Sequence, residues 1–376
     1  MEFFNPVHIV AGQGTLSALD KSIEKLHLQI NKILLITRGG DFQLSEGYQQ
    51  IRAALNEYEV HEIAFDVSNP DISELFQLLK ELERVDFNFV IAVGGGSVLD
   101  MGKSIATLYR MEIADVAMLR ECIGKGSYAE AVIPWIGIPT TSGTGSEVTP
   151  WATIWDKELG GKLSLSNPKN FARIAVVDPI LTSALPVGLT VSSALDAVCH
   201  ATEAYWAKRT NEVSQTFALA AIRRIRESLE LLLQNPEDLS LREDIGKGSL
   251  YAGIAFSNTK TTICHSLSYP LTSQFGIPHG IAAALSLAAF MKFNEGEIKN
   301  KQELLAAFNC ENVAEVGNWI HRMMQLGGYG HQLKNYGIKL KDFPQILHHA
   351  FTKGRADNNP VVVTEDTVLT VLKNIY

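Results

Sequence analysis

Asp196 and His200 stand four residues apart in SSALDAVCHATEAYW, a spacing that puts two side chains on one helix face, a turn from each other. His265 and His279 follow in ICHSLSYPLTSQFGIPHGIAAAL, where Gly276 and Pro278 imply a chain reversal that returns the second imidazole toward the first. The four offer one charged oxygen and three nitrogens to a single divalent cation. That mixture suits ferrous iron or zinc, whereas calcium and magnesium prefer shells made of oxygen. An Asp and a His at this spacing also make an ordinary helix hydrogen bond. Here, however, they lie among Ala197, Val198, Cys199 and Ala201, and His279 precedes Ile281, Ala282, Ala283, Ala284 and Leu285. Apolar surroundings of that kind bury ionisable groups, and buried charges need partners.

The elements that must position these residues are of two kinds. Before residue 185, short apolar runs alternate with helical patterns: KILLIT (32–37), VHEIAF (60–65), FVIAV (89–93), WIGIP (135–139) and RIAVVD (173–178). Nearly continuous apolar runs indicate strands buried on both faces, hence a parallel sheet covered by helices such as DISELFQLLKELERV, with Asp71 as its N-cap. Beyond residue 185 the strand signal vanishes, and 190–207, 211–234, 240–257, 279–294, 300–308, 313–325 and 341–352 read as helices. A chain of 376 residues can fill two cores. The expected fold is an α/β dinucleotide-binding domain over 1–184 and an all-α metal-binding and substrate domain over 185–376.

Charge and composition exclude several function classes. The net charge of −8, without a Lys/Arg-rich block, argues against a nucleic-acid or anionic-membrane partner. No run of 18 apolar residues spans a membrane, and MEFFNPVHIVAGQGT has no basic stretch leading into an apolar core, so the protein is expected in the cytoplasm. Cys122, Cys199, Cys264 and Cys310 are widely spaced, which excludes a disulfide framework or a thiolate zinc site.

AVGGGSVLDMGKSIATLY places Gly94, Gly95, Gly96 and Ser97 where a buried strand gives way to a helix. Glycines let the backbone approach a phosphate, and the helix N-terminus supplies unpaired N–H groups, so a pyrophosphate fits there. The pattern is not GxGxxG, and a tight turn without a ligand would look similar. A second loop, PTTSGTGSEVTP, follows WIGI and offers the hydroxyls of Thr140, Thr141 and Thr144. After KILLIT, where a dinucleotide fold reads the adenosine ribose, stand Arg38, Gly39 and Gly40. An arginine there would accept a 2′-phosphate, which favours NADP over NAD.

These motifs together resemble the iron-containing (group III) alcohol dehydrogenase family over nearly the whole chain. The resemblance rests on Gly94, Gly95, Gly96, Ser97, Asp100 and Lys103 as GGGSxxDxxK, on PTTSGTGSEVT, on Asp178, Pro179 and Leu181, on Asp196 to Tyr205 as DAxxHAxEAY, and on Pro278 to Gly280 as PHG. It implies a metal held by Asp196, His200, His265 and His279, and a nicotinamide cofactor lined by Asn69, Ser97, Asp100, Thr140, Thr141, Thr144 and Lys162. The implied reaction passes hydride between NAD or NADP and a small aldehyde or primary alcohol, in a homodimer.

Two departures from the family pattern bear on the substrate. Tyr269 stands where many members have a further histidine, four residues after the third ligand, and is expected to enter the proton relay or pack beside the metal. RADNNPVVVTED lacks the arginine that commonly follows the family's Asn-Pro. CHSLSYP, EVTPWATIWD and ADNNP are similar to the branch that includes phosphonoacetaldehyde reductases, which implies a small anionic aldehyde with Arg355, Lys260 or Lys353 as its positive partner. Two other readings are a dehydroquinate synthase-like lyase and a non-catalytic nucleotide-binding protein of the same fold.

Overall fold

The computed structural model describes residues 1–128, 131–159 and 161–376, and these form two compact units. One comprises Asn5–Thr141 and Ser146–Thr182; the other comprises Met1–Phe4, Ser142–Gly145 and Ser183–Tyr376.

The first is the expected α/β unit. Its strands are β1 (His8–Ala11), β2 (Lys32–Thr37), β3 (Glu59–Ala64), β4 (Phe89–Gly94), β5 (Trp135–Pro139), β6 (Trp151–Asp156), β7 (Gly161–Ser166) and β8 (Ile174–Val177). Six of them make a parallel sheet in the order β1-β8-β5-β4-β2-β3, while β6 and β7 pair separately as an antiparallel hairpin. The helices are α1 (Leu19–Glu24), α2 (Glu46–Ala54), α3 (Ile72–Leu82), α4 (Gly96–Leu108) and α5 (Val116–Lys125). Asp71 and Glu74 close a reciprocal cap on α3, as DISE suggests. β2, β4 and β5 are buried along nearly their whole length, matching their apolar runs. β3 is an edge strand with several exposed side chains, so VHEIAF is not buried on both faces. After β3 the chain returns to the other side of β2 as β4; that reversal of strand order is where open α/β sheets leave a crevice at their carboxyl ends.

The second unit is helical: α6 (Val187–Trp206), α7 (Glu212–Gln234), α8 (Leu239–Thr259), α9 (Ile263–Phe275), α10 (His279–Asn294), α11 (Lys301–Ala307), α12 (Val313–Leu326), α13 (Phe343–His349) and α14 (Glu365–Asn374). α6, α7 and α8 pack together, and α10 packs on α6 and α9. Helix α6 is buried almost all round, so every charged side chain on it must meet a partner inside the protein. Two helices escape the sequence pattern. They are α9, which carries Pro270 in its interior, and α14.

Candidate active site

Helix α6 presents Asp196, and α9 and α10 bring His265 and His279 to it; one ligand atom from each lies within 4.8 Å of the others. Two glycines make this approach possible. Gly276 ends α9 in the left-handed conformation, at φ 67°, and the chain turns back so that His279 stacks on Tyr269 with ring centroids 5.7 Å apart. Gly280 lets α10 touch α6 backbone to backbone: a Cβ there would lie 2.0 Å from the Ser192 carbonyl and 2.8 Å from the Asp196 Cβ. The neighbouring His279 is thereby delivered to Asp196.

His200, one turn after Asp196, stands beside this trio rather than within the same 4.8 Å cluster. Its ring stacks between Phe256 and His265, at centroid distances of 4.2 Å to each. Its Nδ1 lies 3.3 Å from the carbonyl oxygen of Gly143 and 3.9 Å from Asp196 Oδ2.

The hydrogen bonds around the three rings fix where each keeps its lone pair. A carbonyl only accepts, so the Nδ1–H of His200 donates to Gly143. The Nδ1–H of His265 donates to the carboxylate of Glu203. Ser268 gives its own proton to the carbonyl of His265 at 2.8 Å, so at 3.3 Å it accepts from the Nδ1–H of His279. When neutral, each of the three rings therefore keeps its acceptor nitrogen at Nε2.

A divalent cation fits these donors. Asp196 Oδ1 and His265 Nε2 are buried, have no hydrogen-bond partner, and lie 3.4 Å apart. Two unsatisfied polar atoms facing each other in a core are costly unless something joins them. Charge is balanced the same way. Burial pushes the His200 imidazolium down to about 3. At His265 burial acts in the same direction, but Glu203 and Asp196 outweigh it and raise the group to about 10. Asp196 stays ionised: burial opposes this, and the neighbouring imidazoles overcome it. A cation entering the cluster must therefore displace a proton from His265.

The sequence reading did not include Glu203, Ser268 or the Gly143 carbonyl. Glu203 was legible, because it lies seven residues after Asp196 and three after His200 on the same face of α6.

Most of the residues read as dinucleotide-binding gather at the carboxyl ends of β2, β4 and β5, but Thr144 and Lys162 do not. Gly94 closes β4, where a Cβ would lie 2.5 Å from Val98; Gly95 and Gly96 open α4, and Gly94 accepts from Thr140 N at 2.9 Å. Asn69, at φ 57°, donates its backbone N–H to Ser97 Oγ at 3.2 Å. Thr141 lies against Gly95. Asp100 is occupied differently from the reading above. Its carboxylate accepts from Ser146 Oγ at 2.5 Å and Thr153 N at 2.8 Å, and lies 3.5 Å from Lys103 Nζ, so it ties the second loop to α4. Thr144 falls in the helical unit, in a segment where Gly143 and Gly145 pass hard against Ser193 and Gly253. Lys162 sits on β7 opposite Trp155. Arg38 is exposed just beyond β2, and Gly40 follows at φ 66°. Asp66 approaches Gly39 from the neighbouring strand end, so this edge carries a carboxylate as well as the arginine.

Lys260 and Arg355 come together in the helical unit. Asn358, itself buried, donates to the carbonyls of Thr259 and Thr261 on either side of Lys260, at 2.8 and 3.1 Å, and its side-chain oxygen accepts from Arg209 N at 3.3 Å. One side chain thus joins three segments that carry Arg209, Lys260 and Arg355. Lys260 is half-buried at φ 61°, and burial, then Arg355 and Arg209, lower its pKa against the opposing pull of Asp357. Lys353 instead lines a cavity of about 420 Å³ with Lys208, Phe351 and Asp357.

Comparison with known proteins places this geometry. The family model described as iron-containing alcohol dehydrogenase matches residues 6–179, and the C-terminal model of the Fe-containing alcohol dehydrogenase family matches 190–376. The chain is 31% identical to a phosphonoacetaldehyde reductase of Streptomyces viridochromogenes, over 75% of each chain. It is 27% identical to an NAD-dependent methanol dehydrogenase of Bacillus methanolicus, over 99% of each. Among solved structures, the sulfoacetaldehyde reductase of Bifidobacterium kashiwanohense in complex with NAD+ superposes with a TM-score of 0.90 at 27% identity, covering 100% of this chain and 98% of that one.

Proposed function

The chain belongs to the iron-containing alcohol dehydrogenase family, and from that premise we propose that it reduces a small aldehyde with a nicotinamide dinucleotide, or runs the same reaction in reverse, with Asp196, His200, His265 and His279 holding one divalent cation. The observation that carries this reading is the facing pair of unsatisfied atoms, Asp196 Oδ1 and His265 Nε2. When bound, ferrous iron or zinc supplies the positive charge that polarises a carbonyl and stabilises negative charge developing on its oxygen. When bound, a dihydronicotinamide would supply the hydride from its C4, itself being oxidised, and solvent the proton, so that the aldehyde would gain both. The glycine loops after β4 and β5 anchor the dinucleotide, Ser268 and Tyr269 hold the His279 ring, and Gly143 holds His200. A lyase or a non-catalytic role is set aside by relatives that are alcohol dehydrogenases and aldehyde reductases.

The substrate reading is an anionic aldehyde. Two of the relatives act, by name, on phosphono- and sulfo-substituted acetaldehydes, and here Asn358 gathers Arg209, Lys260 and Arg355. Lys260 and Arg355, each partly buried, and the exposed Arg209 can offer charge-assisted contacts to an anion, with Asp357 the carboxylate acting beside them. The unit assembles as a cytoplasmic homodimer independent of nucleic acid; supporting this are an acidic net charge, no helix apolar and long enough to cross a membrane among the described residues, and β1 at an open sheet edge. Sedimentation at a single mass of one chain would contradict the dimer.

The deciding experiment is a screen of small aldehydes with and without phosphonate, sulfonate or carboxylate groups, using the iron- or zinc-loaded protein with NADPH and NADH. Turnover should be greatest with an anionic aldehyde. Preference for uncharged aldehydes would overturn the substrate reading, and no oxidation of either cofactor would overturn the reaction.

A further inference from the structure

We propose that Glu203 is the positioning residue of the metal centre: it accepts a hydrogen bond from the Nδ1–H of His265 and, by capping the helix that bears this ring, holds Nε2 toward Asp196. This rests on the reading of His265 as a metal ligand. Glu203 is fully buried on α6. Its partners all come from the start of α9. Oε1 accepts from Thr262 Oγ1 at 2.6 Å, Cys264 N at 2.7 Å and His265 N at 3.4 Å, and Oε2 accepts from His265 Nδ1.

Two functions coincide in this carboxylate. Thr262, the N-cap residue of α9, makes no side-chain cap to its own helix. Glu203 supplies the cap from another helix, meeting the exposed N–H groups of the first turn and placing negative charge at the positive end of the dipole. Thr262 is itself held by Trp206 Nε1 at 3.0 Å, so α6 grips the start of α9 at two points one turn apart. The ring of His265 is then fixed by its backbone and by its own Nδ1–H, and only Nε2 is left to face Asp196 Oδ1. Glu203 and Asp196 together also bring two buried negative charges, matching those of one divalent cation.

An amide of the same shape separates capping from positioning. In Glu203→Gln, one face of the side chain can accept and the other must donate. If the carbonyl serves the helix N–H groups, the NH2 faces His265 Nδ1 and drives the ring to the tautomer with its proton on Nε2. If the amide flips, the NH2 opposes three donors. The measurement is the affinity of the apoprotein for Zn2+ against a competing chelator, with the thermal midpoint of the apoprotein recorded beside it. Glu203→Gln should weaken Zn2+ binding about 10- to 100-fold and leave the apoprotein midpoint close to that of the natural chain. Equal affinity in the two proteins would overturn the inference, while absence of Zn2+ binding by the natural chain would overturn the metal reading beneath it. Should the variant not fold, nitrogen chemical shifts of the histidine rings in the zinc-loaded natural protein decide the matter. Coordination of His265 through Nε2, with a proton retained on Nδ1, is expected, and coordination through Nδ1 would refute the proposal.

Discussion

Lys260 is held in a left-handed backbone conformation, half-buried, beside two arginines, an arrangement that strains the backbone and crowds like charge. An anion relieves the second of these. Replacing Lys260 or Arg355 by Met should therefore raise KM for a phosphonate-bearing aldehyde by roughly 10-fold or more, the weight of one charge-assisted hydrogen bond, and leave KM for propanal nearly unchanged. Equal effects on both aldehydes would make these residues structural. The pH dependence has a definite sign. Burial, Arg355 and Arg209 lower the Lys260 pKa from 10.5, with Asp357 opposing, so its charge is lost at lower pH than in an ordinary lysine. KM for the anionic aldehyde should rise as pH increases toward 10.5 in the natural protein and stay flat in Lys260→Met. At the sheet edge proposed to meet the adenosine ribose, Arg38 and Asp66 put opposite charges. Arg38→Asp should shift the ratio of kcat/KM values toward NADH, and an unchanged ratio would remove Arg38 from cofactor choice. At this scale the sequence was most informative where residue types are rare in cores: an Asp and three His among alanines and valines could hardly be anything but partners. It was silent on Asn358, whose function lies in what it touches across the fold.

Between elements, the closest approach in the metal centre is that of α10 to α6 at Gly280. Any side chain there must move the Ser192 carbonyl or shift α10, and His279 moves with it. Gly280→Ala should cost about 1 to 3 kcal/mol of stability, as overpacking does, and should lower metal affinity further than that loss implies. Retention of full metal content by a stably folded Gly280→Ala would show that α10 tolerates displacement. The elements were unequally legible. KILLIT and WIGIP match β2 and β5 to the residue because a central strand of a parallel sheet is apolar on both faces. β6 was hidden by inversion of the usual pattern: its tryptophans are only partly buried, while Asp156 is buried against Arg120, 2.6 Å away. α9, the helix that carries His265, was hidden by Pro270, although the reversal at Gly276 and Pro278 was readable. Its burial lets tertiary packing override the proline.

For the whole molecule, the central claim divides the labour between an α/β unit that binds the dinucleotide and a helical unit that binds the cation. Removing the metal with a chelator should loosen α6, α9 and α10 and leave β2, β4 and β5 protected, which amide hydrogen exchange resolves segment by segment. Uniform loss of protection would contradict that division. The fold class was readable across the whole chain because strand and helix periods change once, near residue 185, and do not change back. The cations proposed to meet an anionic substrate were less so, since they come from three segments far apart in sequence. The most direct measurement is the fate of one deuterium. With the metal-loaded protein, NADPH or NADH carrying deuterium at both C4 positions, and a phosphonate-bearing aldehyde in ordinary water, the alcohol formed should carry one deuterium on its carbinol carbon. Alcohol without deuterium, or oxidised cofactor without alcohol, would contradict hydride transfer as the reaction of this protein.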